Sequence, residues 1–92
     1  MNQPVHHHRQ TKAILNRLSR IEGHVRSIKS MVEEGRGCAD VLVQLAAVRA
    51  AVNQAGRVVL EDHVESCLLD AARDGSAGEV WTDLKKAFDV YF

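Results

Sequence analysis

Cys38, His63 and Cys67 are the residues of this 92-residue chain whose types and spacing could hold a soft metal ion. Thiolate and imidazole are soft to borderline donors, so two cysteines with one histidine suit Cu(I) or Zn(II) and make poor ligands for Mg(II) or Ca(II). Three protein ligands satisfy a trigonal Cu(I), whereas Zn(II) asks for a fourth. Copper is the better fit.

The spacing also says how such a site must be built. His63 and Cys67 are four residues apart, which stacks them on one face of a helix, within reach of one ion. Cys38 lies 25 residues before His63, and on a helix rising ~1.5 Å per residue the two stand about 37 Å apart. Only a second, antiparallel copy of the chain sets its own Cys38 beside them. The pattern therefore predicts a two-fold dimer with two equivalent Cys-His-Cys sites, each shared between protomers.

The elements that position these ligands read as helices. The chain is 46% apolar but only 4% aromatic, with a single proline, Pro4, a profile that suits long helices with aliphatic seams and an all-α class. Ile14, Leu18, Ile21, Val25, Ile28 and Val32 step alternately by four and three, predicting a first helix from Arg9 to Glu34. Gly35-Arg36-Gly37 ends it with a glycine cap. Val41, Leu45, Val48, Val52, Ala55 and Val59 repeat the rhythm, predicting a second helix that runs on to about Ala72. Gly56 inside it costs about 1 kcal/mol relative to alanine, too little to break it. Steps of four from Val59 reach His63 and then Cys67, turning both toward the packing partner.

Asp74 to Gly78 reads as a loop, and Ser76 followed by Glu79 has the form of a capping box opening a third helix that ends near Tyr91. Trp81, Leu84, Phe88 and Tyr91 fall on one face of it, which should dock on the bundle or on a neighbouring subunit. Residues 1–8 are expected to form a flexible tail, and 9–92 a single helical domain.

No run approaches the length of a membrane span, and MNQPVHHHRQ lacks a signal peptide's apolar stretch, so a cytoplasmic protein is expected. Thiols are kept reduced there, which favours ligand over disulfide roles for the cysteines. The formal charge of zero hides a segregation: residues 1–37 hold seven Lys or Arg against three Glu, and residues 38–92 five basic against nine acidic groups. A basic first helix is what a polyanion partner needs. A small thiol enzyme is disfavoured, because no third residue orients a Cys-His pair and no small-molecule substrate is implied.

The runs RLSRIEGHVRSI (Arg17 to Ile28), QLAAVRAAVNQ (Gln44 to Gln54) and EDHVESC (Glu61 to Cys67) together resemble the CsoR/RcnR family of small bacterial metal-responsive transcriptional repressors. The resemblance spans nearly the whole chain. Cysteine, histidine 25 residues on and cysteine four further is the ligand pattern of its copper-sensing branch, in which the first cysteine meets the partner's histidine and second cysteine. It implies a three-helix protomer, an antiparallel four-helix-bundle dimer, and a flat homotetramer of two dimers. It also implies that the metal-free form binds operator DNA and that Cu(I) releases it. The residues corresponding to the family's DNA-binding positions are Arg17 and Arg20, with Arg9, Lys12, Arg26 and Arg49 as lesser candidates.

Two features depart from the copper-sensing pattern. Where that branch commonly has a tyrosine before the first cysteine and a glutamate 16 residues after the second, this chain has Gly37 and Asp83. Asp83 could still accept a bond from the ligand imidazole, at closer backbone approach. His6 lies 32 residues before Cys38, the distance at which the nickel- and cobalt-sensing branch places an extra ligand. The resemblance thus leaves open a Zn(II), Ni(II) or Co(II) sensor that adds His6, and cysteine-based sensing of persulfide or formaldehyde also occurs in the family.

Overall fold

The computed structural model describes residues 10–65 and 69–91, and every regular element among them is helical. There are four: α1 (Thr11–Glu33), α2 (Cys38–His63), α3 (Leu69–Asp74) and α4 (Ala77–Tyr91). No helix among the described residues is long and apolar enough to cross a membrane.

α1 stops where its glycine allows. Gly35 has φ 72°, and the two bonds around it, Gly35 N–H to Val32 O at 3.1 Å and Arg36 N–H to Met31 O at 3.0 Å, close a Schellman cap. Gly37 then opens α2, its carbonyl accepting the Val41 N–H at 3.1 Å. Cys38 is therefore the first residue of a 26-residue helix.

The described chain divides into two compact units, Thr11–Arg57 and a second made of Gln10 with the described residues from Val58 onward. Within the first, buried or half-buried positions recur on α1 at Ile14, Arg17, Ile21, His24, Ile28 and Met31, and on α2 at Val41, Gln44, Val48, Ala51 and Ala55. Within the single chain the seam read from the sequence is covered along one edge only. Its Ile14, Ile21, Ile28, Val41, Val48 and Ala55 do lie on the covered side, whereas Leu18, Val25, Val32, Leu45, Val52 and Val59 remain 41–61% exposed. One broad apolar band has been divided, because a single neighbouring helix covers only one edge of it.

The second unit departs from the expected three-helix protomer. α2 does not continue as one helix to Ala72: it ends at His63, passes into a π turn at Val64 and Glu65, and α3 begins only at Leu69. Asp62 and Ala71 are both buried, at 2% and 5% exposure. No glycine or proline announces the π turn at Val64 and Glu65.

α3 and α4 pack against each other across a turn centred on Gly75, whose φ is 87°. Ser76 N–H closes the α3 cap on Ala71 O at 2.9 Å, and the Ser76 carbonyl receives Val80 N–H at 3.2 Å. The capping box with Glu79 is not made. Instead the Ser76 hydroxyl donates to Asp74 Oδ1 at 2.5 Å and its backbone N–H donates to the same oxygen at 3.0 Å. Donation to the carboxylate two residues upstream turns the Ser76 side chain toward Asp74.

Both bonds favour ionised Asp74 and lower its pKa, the hydroxyl most. The stabilisation is present above the ordinary aspartate range and is lost as pH falls through the lowered value. In a carboxyl NMR titration Asp74 is expected to protonate at lower pH than an ordinary exposed aspartate, and Ser76→Ala to raise it. An unchanged Asp74 titration in Ser76→Ala would count against this.

On α4 the residues Trp81, Phe88 and Tyr91 are 41–54% exposed.

Candidate metal centre and nucleic-acid interface

The metal ligands proposed from the sequence fall at helix ends. Cys38, the first residue of α2, carries a free and exposed thiol. His63 is the last residue of the same helix and is half-buried. A single chain therefore does not bring the two together. Among the described residues no group of three His, Cys, Asp or Glu side chains is placed to hold an ion. Cys67 and His6 lie outside the described residues, as do Arg9 and the tail 1–8. Asp83 sits exposed in the middle of α4.

The surroundings of Cys38 are open. A side chain built at Gly37 would meet nothing nearer than Asp40 Oδ2 at 4.0 Å, so the backbone there does not demand glycine. At the other end of α2 sequence reasoning missed Asp62. Its buried carboxylate accepts the Gln10 backbone N–H at 3.3 Å, directly beside His63. Its signal was the register 41, 44, 48, 51, 55, 58, 62, in which a carboxylate occupies a core position.

Of the basic candidates, Lys12, Arg20 and Arg26 are exposed on α1 and Arg49 is exposed on α2. Arg17 differs: it is half-buried, at a seam position where the pattern calls for an aliphatic residue. With Arg20, Ile21, His24 and Ala51 it lines an open pocket of about 340 Å³. Across this part of the first unit His24 Nε2 lies 2.7 Å from Gln44 Oε1. Because an amide oxygen only accepts, the ring N–H donates, which fixes the imidazole. His24 and Gln44 were not singled out from the sequence, although both are polar residues on the heptad that carries Ile14, Ile21, Val41 and Val48.

The chain as a whole is similar to metal-sensitive transcriptional repressors. Residues 10–90 match the family model for metal-sensitive transcriptional repressors. The chain is 44% identical over 78 residues to the copper-sensing transcriptional repressor CsoR of Bacillus subtilis (strain 168), covering 85% of this chain and 77% of that protein. It spans about half (54%) of the length of the mycobacterial CsoR proteins it matches. Among solved structures, the Cu(I) form of CsoR from Geobacillus thermodenitrificans NG80-2 superposes with a TM-score of 0.85 at 36% identity, covering 99% of this chain and 93% of that one. The nickel-responsive transcriptional regulator InrS superposes with a TM-score of 0.77 at 43% identity, covering 97% of this chain and 100% of the other.

Proposed function

Because the chain belongs to the family of metal-sensitive transcriptional repressors, we propose that it is a copper(I)-responsive repressor, bound to its operator when metal-free and released by Cu(I). The observation that carries this is the placement of Cys38 and His63 at the two ends of α2, with a free thiol at one end and an imidazole at the other. In an antiparallel pair of protomers each Cys38 meets the partner's His63 and Cys67. Two thiolates and one imidazole match the coordination preference of Cu(I), in keeping with the likeness to a CsoR structure holding that ion. When bound, the ion supplies a bond between subunits. Asp83 is the residue proposed to steady the ligand imidazole.

The pairing itself is supported by the divided seam. Leu18, Val25 and Val32 on α1, and Leu45, Val52 and Val59 on α2, are exposed at intervals of seven residues. Two helices each offering a heptad apolar stripe are the half of a four-helix bundle that a second protomer completes. Trp81, Phe88 and Tyr91 of α4 provide further apolar area for pairing dimers into a tetramer. The proposed organisation is a tail, 1–8, ahead of one metal-sensing and DNA-binding domain, 9–92, acting in the cytoplasm.

Operator contact falls to Arg17 and Arg20 first, then Arg9, Lys12, Arg26 and Arg49. These contacts go mainly to phosphates, so binding should weaken steeply with salt. Arg17→Ala is expected to weaken operator and unrelated duplex alike, by roughly tenfold or more, and to flatten the slope of log affinity against log salt by about one. A loss confined to the operator, with the slope unchanged, would overturn the phosphate role.

A second reading, response to Ni(II), Co(II) or Zn(II) with His6 as a fourth ligand, draws on the likeness to InrS. Fluorescence anisotropy of a labelled operator with and without Cu(I), repeated with Zn(II), Ni(II) and Co(II), separates the two. Release by Cu(I) alone supports the first. Release by Ni(II), Co(II) or Zn(II) that is lost in His6→Ala replaces it with the second.

A further inference from the structure

Asp62 is a carboxylate at a position that packing alone would give to an aliphatic residue: it is 2% exposed and stands one residue before His63 at the end of α2. Burying such a group is costly unless hydrogen bonds take its oxygens. One of its bonds reaches 52 residues back along the chain, where Oδ1 accepts the Gln10 backbone N–H at 3.3 Å. Gln10 directly precedes α1, a helix whose first amides have no intrahelical acceptor and whose first turn holds no acidic residue. Asp62 thus ties the residue from which the arginine-bearing helix springs to the ligand-bearing turn of α2.

The bond is also long. Charge-assisted N–H···O contacts run to about 2.7–2.9 Å, so at 3.3 Å a further displacement of a few tenths of an ångström is enough to lose it. Asp62 and His63 are consecutive and are followed at once by the π turn at Val64 and Glu65, so a turn of His63 toward a ligand position carries the Asp62 backbone with it. We propose that Asp62 is the positioning residue through which the state of His63 reaches α1. Its bond to Gln10 holds the start of α1 in the operator-competent pose and is given up when His63 serves as a ligand. An effector must favour one of two arrangements to shift anything, and this bond is made in one and lost in the other. The route rests on the repressor reading and specifies how that site would be coupled to DNA.

The test follows the Gln10 amide of the full ¹⁵N-labelled chain by NMR hydrogen exchange, beside operator anisotropy and Cu(I) competition titration. In the metal-free parent the amide is expected to be protected, and Cu(I) should strip that protection. Asp62→Leu removes the acceptor, and Gln10→Pro removes the donor without touching α2. Each should bring metal-free operator affinity down to the parent's copper-bound level, a fall of roughly 5- to 150-fold. Copper affinity should hold or rise, because ligation no longer has to break a bond. The double variant should be no weaker on the operator than either single one, since both delete the same interaction. Asp62→Asn keeps a carbonyl acceptor and should retain most of the response. Should Asp62→Leu fail to fold by circular dichroism, Gln10→Pro and Asp62→Asn still decide. Gln10 protection that Cu(I) leaves unchanged, additive losses in the double variant, or copper affinity falling with operator affinity in Gln10→Pro would each overturn the relay. A parent that responds to copper while Gln10→Pro responds equally sinks the relay alone. A parent whose operator affinity ignores every metal sinks the repressor reading and the relay with it.

Discussion

Replacing Cys38 by serine is expected to leave operator binding at its metal-free level and to abolish release by Cu(I). The thiol is exposed at the first residue of α2, so the substitution disturbs no packing and isolates the ligand role. A neutral hydroxyl is a poor partner for a soft ion. Couplings of about 1–3 kcal/mol correspond to roughly 5- to 150-fold changes in affinity, and that whole response should vanish. The sharper version mixes two defective chains, one carrying Cys38→Ser and the other His63→Ala with Cys67→Ala. If ligands are shared across subunits, the mixed pair regains one complete site, because the second chain still offers Cys38 to the first chain's His63 and Cys67. Copper titration of the mixture should recover binding that neither parent shows. No recovery would rule out the shared site.

Leu45→Glu is expected to separate the protomers. Leu45 is 46% exposed in the single chain and belongs to the stripe repeating at Val52 and Val59. Each protomer would lose about 1.5–3 kcal/mol of apolar burial at that position, and the introduced carboxylates would add a desolvation cost at the interface. Counted over both copies, the dimer constant should weaken by on the order of 10²- to 10⁴-fold. Light scattering should then report a monomer at concentrations where the parent is paired, and copper binding should fail with it, since neither chain alone brings Cys38 to His63. A variant that stays dimeric and fills with copper would remove this stripe from the interface.

Much of this was legible in the chain because its signals are local. The glycine pair at 35 and 37 marked the α1–α2 boundary to within a residue or two, and α2 passes through Gly56 as its low cost suggests. The end of α2 was not legible. From Val58 to Asp74 there is no glycine or proline, so no local signal marks the π turn at Val64 and Glu65 that follows His63. The capping box was misleading for a related reason: Ser76 and Glu79 have the right spacing, but the Ser76 side chain is turned toward Asp74, to which its hydroxyl donates. His24 and Gln44 escaped notice because a seam drawn through aliphatic residues alone skips the polar ones that share its covered edge. In the same way Asp62 passed as an ordinary charged residue until its burial set it apart.

One 26-residue helix begins at Cys38 and finishes at His63, and in the proposed pair this gives each rod a clasp at either tip. Closing the first clasp removes the sliding and rocking freedom of both rods at once, so the second ion should meet a preorganised seat. Filling is then expected to be cooperative, with half-loaded pairs scarce, and the regulator would answer a narrow rise in copper as a threshold instead of tracking it in proportion.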